Sequence, residues 1–230
     1  MRRFATSVFA IAVIAVTFSA ISTAKAANRE EAQEIVDRAI HALDDLTDRG
    51  SHTTIRTLMK DSKGVIIFPS VIKGALIFGG EGGSGVLMSN SGNNWSSPAF
   101  YHLSSFSWGL QIGGQETRIM MIVMSDKGMN MLMDGEPKVG GDLQAAAISE
   151  GVDKELSTTS GRKDIYYYAE TEGGLFAGIS LEGSLIKFRK KTTRNYYGEE
   201  VTPEQILINR TVSSPGANEL RAALRKAAID

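Results

Sequence analysis

Residues 63–92 read KGVIIFPSVIKGALIFGGEGGSGVLMSNSG, in which 65–68, 75–78 and 86–88 are apolar runs cut apart by Pro69, Gly74 and the glycine cluster 79–85. Runs this short, bounded by turn residues and rich in Val and Ile, read as successive buried strands. Downstream, 105–112, 117–125, 130–134, 165–170, 175–181 and 185–191 are further strand candidates. Turn signals fall between them at Ser91-Gly92, Asp126-Lys127-Gly128, Asp134-Gly135 and Glu172-Gly173-Gly174. The body is therefore mainly antiparallel β.

Upstream the period changes. Ala32, Ile35, Val36, Ala39, Ile40, Leu43 and Leu46 recur at spacings of three and four, which predicts an amphipathic helix over 29–48 with Asn28 as its cap. A second short helix is expected over 53–60, with Ile55, Leu58 and Met59 inward. The chain closes with 203–209 after a Thr202 cap and 215–228 after Ser214, each with Pro at its first position. The expected class is α+β, a glycine-rich antiparallel sheet packed by N-terminal and C-terminal helices. No repeat or long linker divides it.

Length and charge bound the function. The 230 residues, 42% hydrophobic and 22% charged, suffice for one domain with a sizeable core or at most two small ones. A formal net charge of -1 gives no bulk reason to expect nucleic acid. The absence of cysteine removes disulfides, thiolate metal sites and a Cys nucleophile. Residues 1–26 combine Arg2 and Arg3, an apolar run from Val8 to about Ala20 and the small-residue end Ala24-Lys25-Ala26. That is the pattern of a secretory signal, shorter than a bilayer span, which leaves 27–230 as a single mature domain in the periplasm or secreted fraction. Loss of three basic groups leaves 22 against 26 acids, a mature charge near -4.

The glycine cluster matches G-x-G-x-x-G over Gly80–Gly85, yet Val86-Leu87-Met88 follows where a dinucleotide fold needs a helix. Gly79, Gly80, Gly82, Gly83 and Gly85 are better read as a structural glycine loop that lets strands approach closely, ahead of a backbone nest for an anion. Six of nine methionines lie between Met120 and Met133, where Met129, Met131 and Met133 alternate as one face of a strand, so packing is the expected use. His41, His52 and His102 form no ligand-spaced pair and no nucleophile elbow is present, so no catalytic residue, metal or cofactor is expected. From Gly183 to Gly198 no acid occurs, while Lys187, Arg189, Lys190, Lys191 and Arg194 cluster ahead of Tyr196 and Tyr197. Read as a strand, Lys187, Arg189 and Lys191 point one way and Lys190 the other. The stretch is either an anion site, with the tyrosines as interfacial contacts, or a lysine-protected edge strand.

The order of several motifs resembles the SYLF domain family, which is shared by SH3-containing membrane and actin adaptors of yeast and animals and by many exported bacterial proteins. Its carriers are the KGVIIFP of 63–69, the Gly-Gly-Ser-Gly of 82–85, the WSSPA of 95–99, the GLQIG of 109–113, the Gly-Gly-Asp of 140–142 and the GLFAGISLEGS of 174–184. Tyr197-Gly198 and the Pro203 helix fit as well. The resemblance implies a non-enzymatic module that binds anionic lipids, phosphoinositides in eukaryotic members, with some members also binding actin. Arg189 and Lys190 match the family's usual Arg-Lys. Glu81 stands where eukaryotic members tend to carry a basic residue, and 29–49 holds seven acids against three bases, unlike their basic front helix. The expected partner is an anionic lipid or membrane surface of a bacterial envelope, with an envelope protein partner as the alternative and an uncharacterised hydrolase behind both. Actin is not expected for an exported bacterial protein. Intact-mass analysis of the exported protein tests the leader: a mature chain beginning at Ala27 is expected, and a species that keeps Met1 points instead to a membrane anchor.

Overall fold

The computed structural model describes residues 5–48, 52–73, 80–106, 116–148, 163–171 and 181–229. Helix α1 spans Ala5–Asp48 and α2 spans His52–Asp61. The strands are β1 Gly64–Lys73, β2 Gly80–Ser91, β3 Asn94–Trp95, β4 Ala99–Phe106, β5 Glu116–Val123, β6 Ala145–Ala147, β7 Ile165–Thr171 and β8 Leu185–Phe188. Helix α3 is Asp126–Asp134, α4 is Lys190–Tyr197, α5 is Pro203–Leu207, and α6 is Asn218–Ala227 after a 3-10 turn at Pro215–Ala217. The strands pair in the order β6-β7-β5-β1-β2-β4-β8, with β3 folded back on β2. Pairing is antiparallel except between β6 and β7, which makes the sheet mixed. The expected strands over 75–78 and 107–112, and that over 175–181 except Leu181, lie outside the described residues, as does Gly79.

β1 lies at the centre, paired with β5 on one side and β2 on the other. Proline has no N–H to give a ladder and is tolerated in a central strand only where the ladder breaks. Pro69 sits at such a break. Against β2 the register slips between Ile67 and Ser70, and against β5 between Phe68 and Val71. The extra residue shifts the side-chain alternation by one, so that Val71 is buried and Ser70 only partly so. Gly83 and Gly85 are the other half of this device. A Cβ on Gly83 would collide with the Ser70 carbonyl and come within 2.9 Å of Val71 Cγ2, and one on Gly85 would meet the Ile67 carbonyl and Phe68 Cδ1. Gly82 faces the opposite side, with the His102 ring at 3.2 Å, and is looser. The glycine cluster is thus strand rather than loop, held by ladders on both edges.

The curled sheet has two apolar faces. On one, Val65, Ile67, Val86, Met88, Phe100, Met120, Ile122 and Tyr166 meet Val36, Ala39, Leu43 and Leu46 of α1, Ile55 and Met59 of α2, and Leu220 and Leu224 of α6. On the other, Ile66, Phe68, Leu87, Tyr101, Leu103, Ile119, Met121 and Ile186 enclose Met129 and Leu132 of α3 and Ile206 and Leu207 of α5. The expected stripes of α1, α2 and α6 are the ones buried. Asn28 is not a cap, because no Gly or Pro interrupts 5–48 and the helix runs through it. Thr202 does cap α5, in a reciprocal box with Gln205, whereas Ser214 makes no side-chain cap bond. Gly92 and Asn93 both have positive φ, 60° and 66°, as the tight β2–β3 hairpin requires.

Residues 130–134, expected as a strand, are helix. Ser125 caps α3 by accepting from the Gly128 N–H at 2.9 Å, which commits the chain before the alternating methionines begin. Met129 and Leu132 are then buried at helical spacing, with Met131 and Met133 at the margin. Asp164 locks the cap: it accepts from Ser125 Oγ at 2.6 Å, the Gln144 N–H at 3.1 Å and Lys127 Nζ at 3.2 Å. Burial pushes its carboxyl up, but these hydrogen bonds and the Lys127 charge outweigh it and hold the group below its ordinary value.

Gly83→Val and Gly85→Val should each lower stability by about 3 kcal/mol or more, since the clash is with backbone, while Gly82→Ala should stay within about 1 kcal/mol. Thermal unfolding of the three variants reads this directly, and an equal loss in all of them would refute the assignment of the close approach to positions 83 and 85. Asp164→Asn should cost about 1–3 kcal/mol at neutral pH. A depressed carboxyl contributes stability that is present above its unfolded pKa, about 4, and lost as the pH falls through its folded value, so urea midpoints of variant and wild type should converge in acid.

Candidate anion-binding surface

The basic stretch begins on the edge strand β8. Lys187 stands opposite His102 of β4, and His102 stands opposite Ser84 of β2, so the three occupy one row on the helix-covered side of the sheet. The strand stops at Phe188. The Arg189 N–H donates to the Phe100 carbonyl at 2.8 Å and α4 begins at Lys190. The strand expected over 185–191, with alternating cations, is therefore corrected: only Lys187 is on a strand, and Lys190, Lys191 and Arg194 lie on a helix that packs on the sheet through Tyr196. Those three and Lys187 are exposed, whereas Arg189 is half-buried and turns back over β4 to donate to Ser84 Oγ.

Acidic side chains answer part of this charge. Glu136 lies 2.5 Å from Lys187, and Glu200 lies 3.5 Å from Arg194 and 3.9 Å from Lys190. Among the described residues no carboxylate pairs with Arg189 or Lys191. The first turn of α4 holds two lysines and no acid, and its N-cap offers no side-chain hydrogen bond, so the positive end of the dipole is reinforced rather than balanced. His102 registers the result. Burial lowers its pKa first, the Arg189 charge lowers it further, and a backbone hydrogen bond at Gly83 offsets them in part.

The tyrosines do not belong to this surface. Tyr196 is 1% exposed, edge-on to Phe100 at 5.0 Å, with its hydroxyl pushed up by burial. Tyr197 is half-buried, edge-on to Tyr196 at 5.1 Å, and donates to the Pro98 carbonyl at 2.8 Å. Both anchor α4, so neither ring is placed as an interfacial contact. The glycines Gly80, Gly82, Gly83 and Gly85 lie in a ladder, not in a nest of free N–H groups.

The motif stretches that fall on described residues are largely scaffold. Trp95 is buried, Ser96 Oγ accepts from the Ser89 N–H at 2.9 Å, and Arg221 of α6 reaches the Ser96 carbonyl at 3.2 Å and Ser97 Oγ at 2.7 Å. The Gly140-Gly141-Asp142 turn docks on the Leu181–Ser184 turn through the Val139 N–H to Ser184 carbonyl and Gly183 N–H to Val139 carbonyl bonds, each 2.8–2.9 Å. Ser84 and His102 are the site residues that the sequence reading missed. Nothing in their spacing marks them; only the strand register brings them to Arg189. Among the described residues no group of three or more His, Asp or Glu is placed to hold a metal ion.

A curled mixed sheet with helices on its outer face and a cation-rich strand-to-helix corner defines an α+β module. The family profile described as Ysc84, Las17-binding protein actin regulator, matches residues 104–227, and the chain belongs to this SYLF-type family. It is 29% identical over 178 residues to Protein YSC84 of Saccharomyces cerevisiae, covering 75% of this chain and 38% of that protein. It is 28% identical over 163 residues to SH3 domain-containing YSC84-like protein 1 of Homo sapiens, covering 69% and 47%. An SH3 domain-containing protein of Schizosaccharomyces pombe is 28% identical over 173 residues, covering 73% and 40%. The chain thus spans less than half the length of these relatives.

Proposed function

We propose that this chain is a non-enzymatic module that binds anionic lipid surfaces, exported by its apolar front segment to work at a bacterial envelope or in the secreted fraction. The observation that carries the reading is the corner at Arg189: five cations gather there, and Arg189 and Lys191 have no carboxylate partner among the described residues. Location outweighs sum. A basic group near an anionic membrane is worth about 1 kcal/mol, and the field fades over a Debye length of about 8–10 Å. Net of Glu136 and Glu200, five cations less two acids leave a local excess of three positive charges, which suffices for weak, salt-sensitive attachment even on a mature chain near -4. The front helix contributes little to such contact, because its exposed side carries Glu30, Glu31, Glu34, Asp37 and Asp44.

A second reading has one specific support: the family description names Las17 as a protein partner, so an acidic protein surface could occupy the same corner. Liposome co-sedimentation separates the two. Wild type should pellet with phosphatidylserine vesicles at low salt and lose most of that binding at high salt. The variant with Arg189, Lys190 and Lys191 all changed to Glu should bind at least tenfold less, and the double variant K190E/K191E, which changes only exposed residues, should also lose most of the binding while keeping its melting temperature. Equal binding by all three proteins refutes the corner as the contact, and no binding by wild type refutes the lipid reading in favour of the protein partner.

A further inference from the structure

We infer that Arg189, His102 and Ser84 form a seat for a phosphate group, and that protonation of His102 adds a second full charge to it, so that a dianion is held more tightly by the protonated seat than by the neutral one. This rests on the reading of the corner as an anion-binding surface, and it names the chemistry recognised there, a phosphate monoester carried by a lipid headgroup or free in solution.

The geometry is that of three donors converging from three parts of the chain. Ser84 comes from β2, His102 from β4 and Arg189 from the end of β8. A guanidinium carries five N–H donors, and Ser84 Oγ accepts from only one of its nitrogens. The same hydroxyl keeps its own proton free to donate. Gly82 makes the room: a Cβ there would stand 3.2–3.3 Å from the imidazole, which lies across the strand where a side chain would otherwise be. A planar carboxylate presents acceptors in one plane, whereas a tetrahedral phosphate can accept from a fork, a hydroxyl and the second ring N–H that protonation gives His102, the first being engaged at the Gly83 backbone.

The charge balance points the same way. From β8, Lys187 faces His102, but Glu136 engages its ammonium. From the β8–α4 corner comes Arg189, and from α4 come Lys190, Lys191 and Arg194, of which Glu200 meets the first and last. From β2 the neighbours Gly82 and Ser84 carry no charge. On α1, Arg29 and Asp37 act on Tyr196 further along α4. No described carboxylate lies on Arg189 itself. A half-buried guanidinium beside an imidazole whose protonation it opposes is a site short of one anion. An anion bound there reverses that opposition and draws a proton onto His102.

The test is the titration of His102 by NMR in the isotope-labelled full chain, with His102→Gln assigning its signal among the three histidines. Saturating inorganic phosphate should raise the His102 midpoint by about one pH unit, which by linkage is about tenfold tighter binding to the protonated form. Sulfate, which does not titrate in this range, should do the same, and Arg189→Gln should abolish the shift. His102→Gln should weaken sulfate binding and make what remains independent of pH over the range in which His102 titrates. Vesicles of phosphatidylcholine with phosphatidate form the second arm: a shift with vesicles only assigns the seat to a lipid headgroup, and one with free phosphate only assigns it to a soluble ligand. An unmoved His102 in a protein that still pellets with anionic vesicles overturns the seat and leaves the membrane reading standing. If neither arm shows binding, both fall.

Discussion

The fold turns on one backbone collision avoided. Where β1 bulges at Phe68-Pro69, its carbonyls at Ile67 and Ser70 press against β2 so closely that only hydrogen fits on Gly85 and Gly83. Because β1 is central, this single irregularity interrupts the ladders to both neighbours at the same level. A bulge increases local twist and bends its strand, and bending the central strand bends the sheet. One face then becomes the inside of a curl, filled by Phe68, Tyr101, Met121 and the plugging residues Leu132 and Leu207, while the outer face takes α1, α2 and α6. The proline that would be a fault in a flat central strand is here the reason the molecule has an inside.

The stretches that carry the family resemblance and fall on described residues serve mainly this scaffold. KGVIIFP is the bulged strand, Gly-Gly-Ser-Gly is its partner, WSSPA is the ledge that Arg221 and Tyr197 hold, and the Gly-Gly-Asp and Leu-Glu-Gly-Ser turns hold each other. Each of these solves a problem of backbone approach or of satisfying buried polar groups. The recognition corner uses almost none of them. Of the shared motifs only Arg189-Lys190 reaches it, together with Ser84 from within the glycine run. Membership therefore says more about how this chain folds than about what it holds, and the exposed Lys191 and Arg194 add charge without disturbing the frame.

What could be read from the sequence alone follows from range. The α1 stripe from Ala32 to Leu46 and the Thr202 cap are local patterns whose physical cause lies within one or two turns, and the structure has both. The strand expected over 130–134 failed because alternation and helical spacing coincide over so few residues, and a tertiary tie through Asp164 to the Ser125 cap decided between them. The basic stretch failed in the same way. Ile186 and Phe188 alternate as strand residues do, but the pairing with β4 ends with the Arg189 N–H on the Phe100 carbonyl, and beyond it Tyr196 finds its burial on Phe100 by forming a helix. His102 and Ser84 are eighteen residues apart in sequence and adjacent in space, a relation that exists only once the β2–β4 register is set.

That register also explains why the cations at the corner are unequal. Lys187, Lys190, Lys191 and Arg194 are exposed, so water and salt screen whatever they meet, and the pairs with Glu136 and Glu200 are of the kind that contribute about 0–1 kcal/mol. In the proposed function they set the potential that guides an anion in. Arg189 is different in kind, because it is partly withdrawn from water, fixed by Ser84 and placed beside an imidazole that senses it. Interactions made there are screened less, and the geometry of the fork restricts which anion can make them. On the proposed reading, a chain of near-neutral or negative net charge is selective for an anion without being attractive to all anions: the acids spread over α1 repel at long range, the exposed lysines attract at the corner, and the half-buried arginine discriminates on contact.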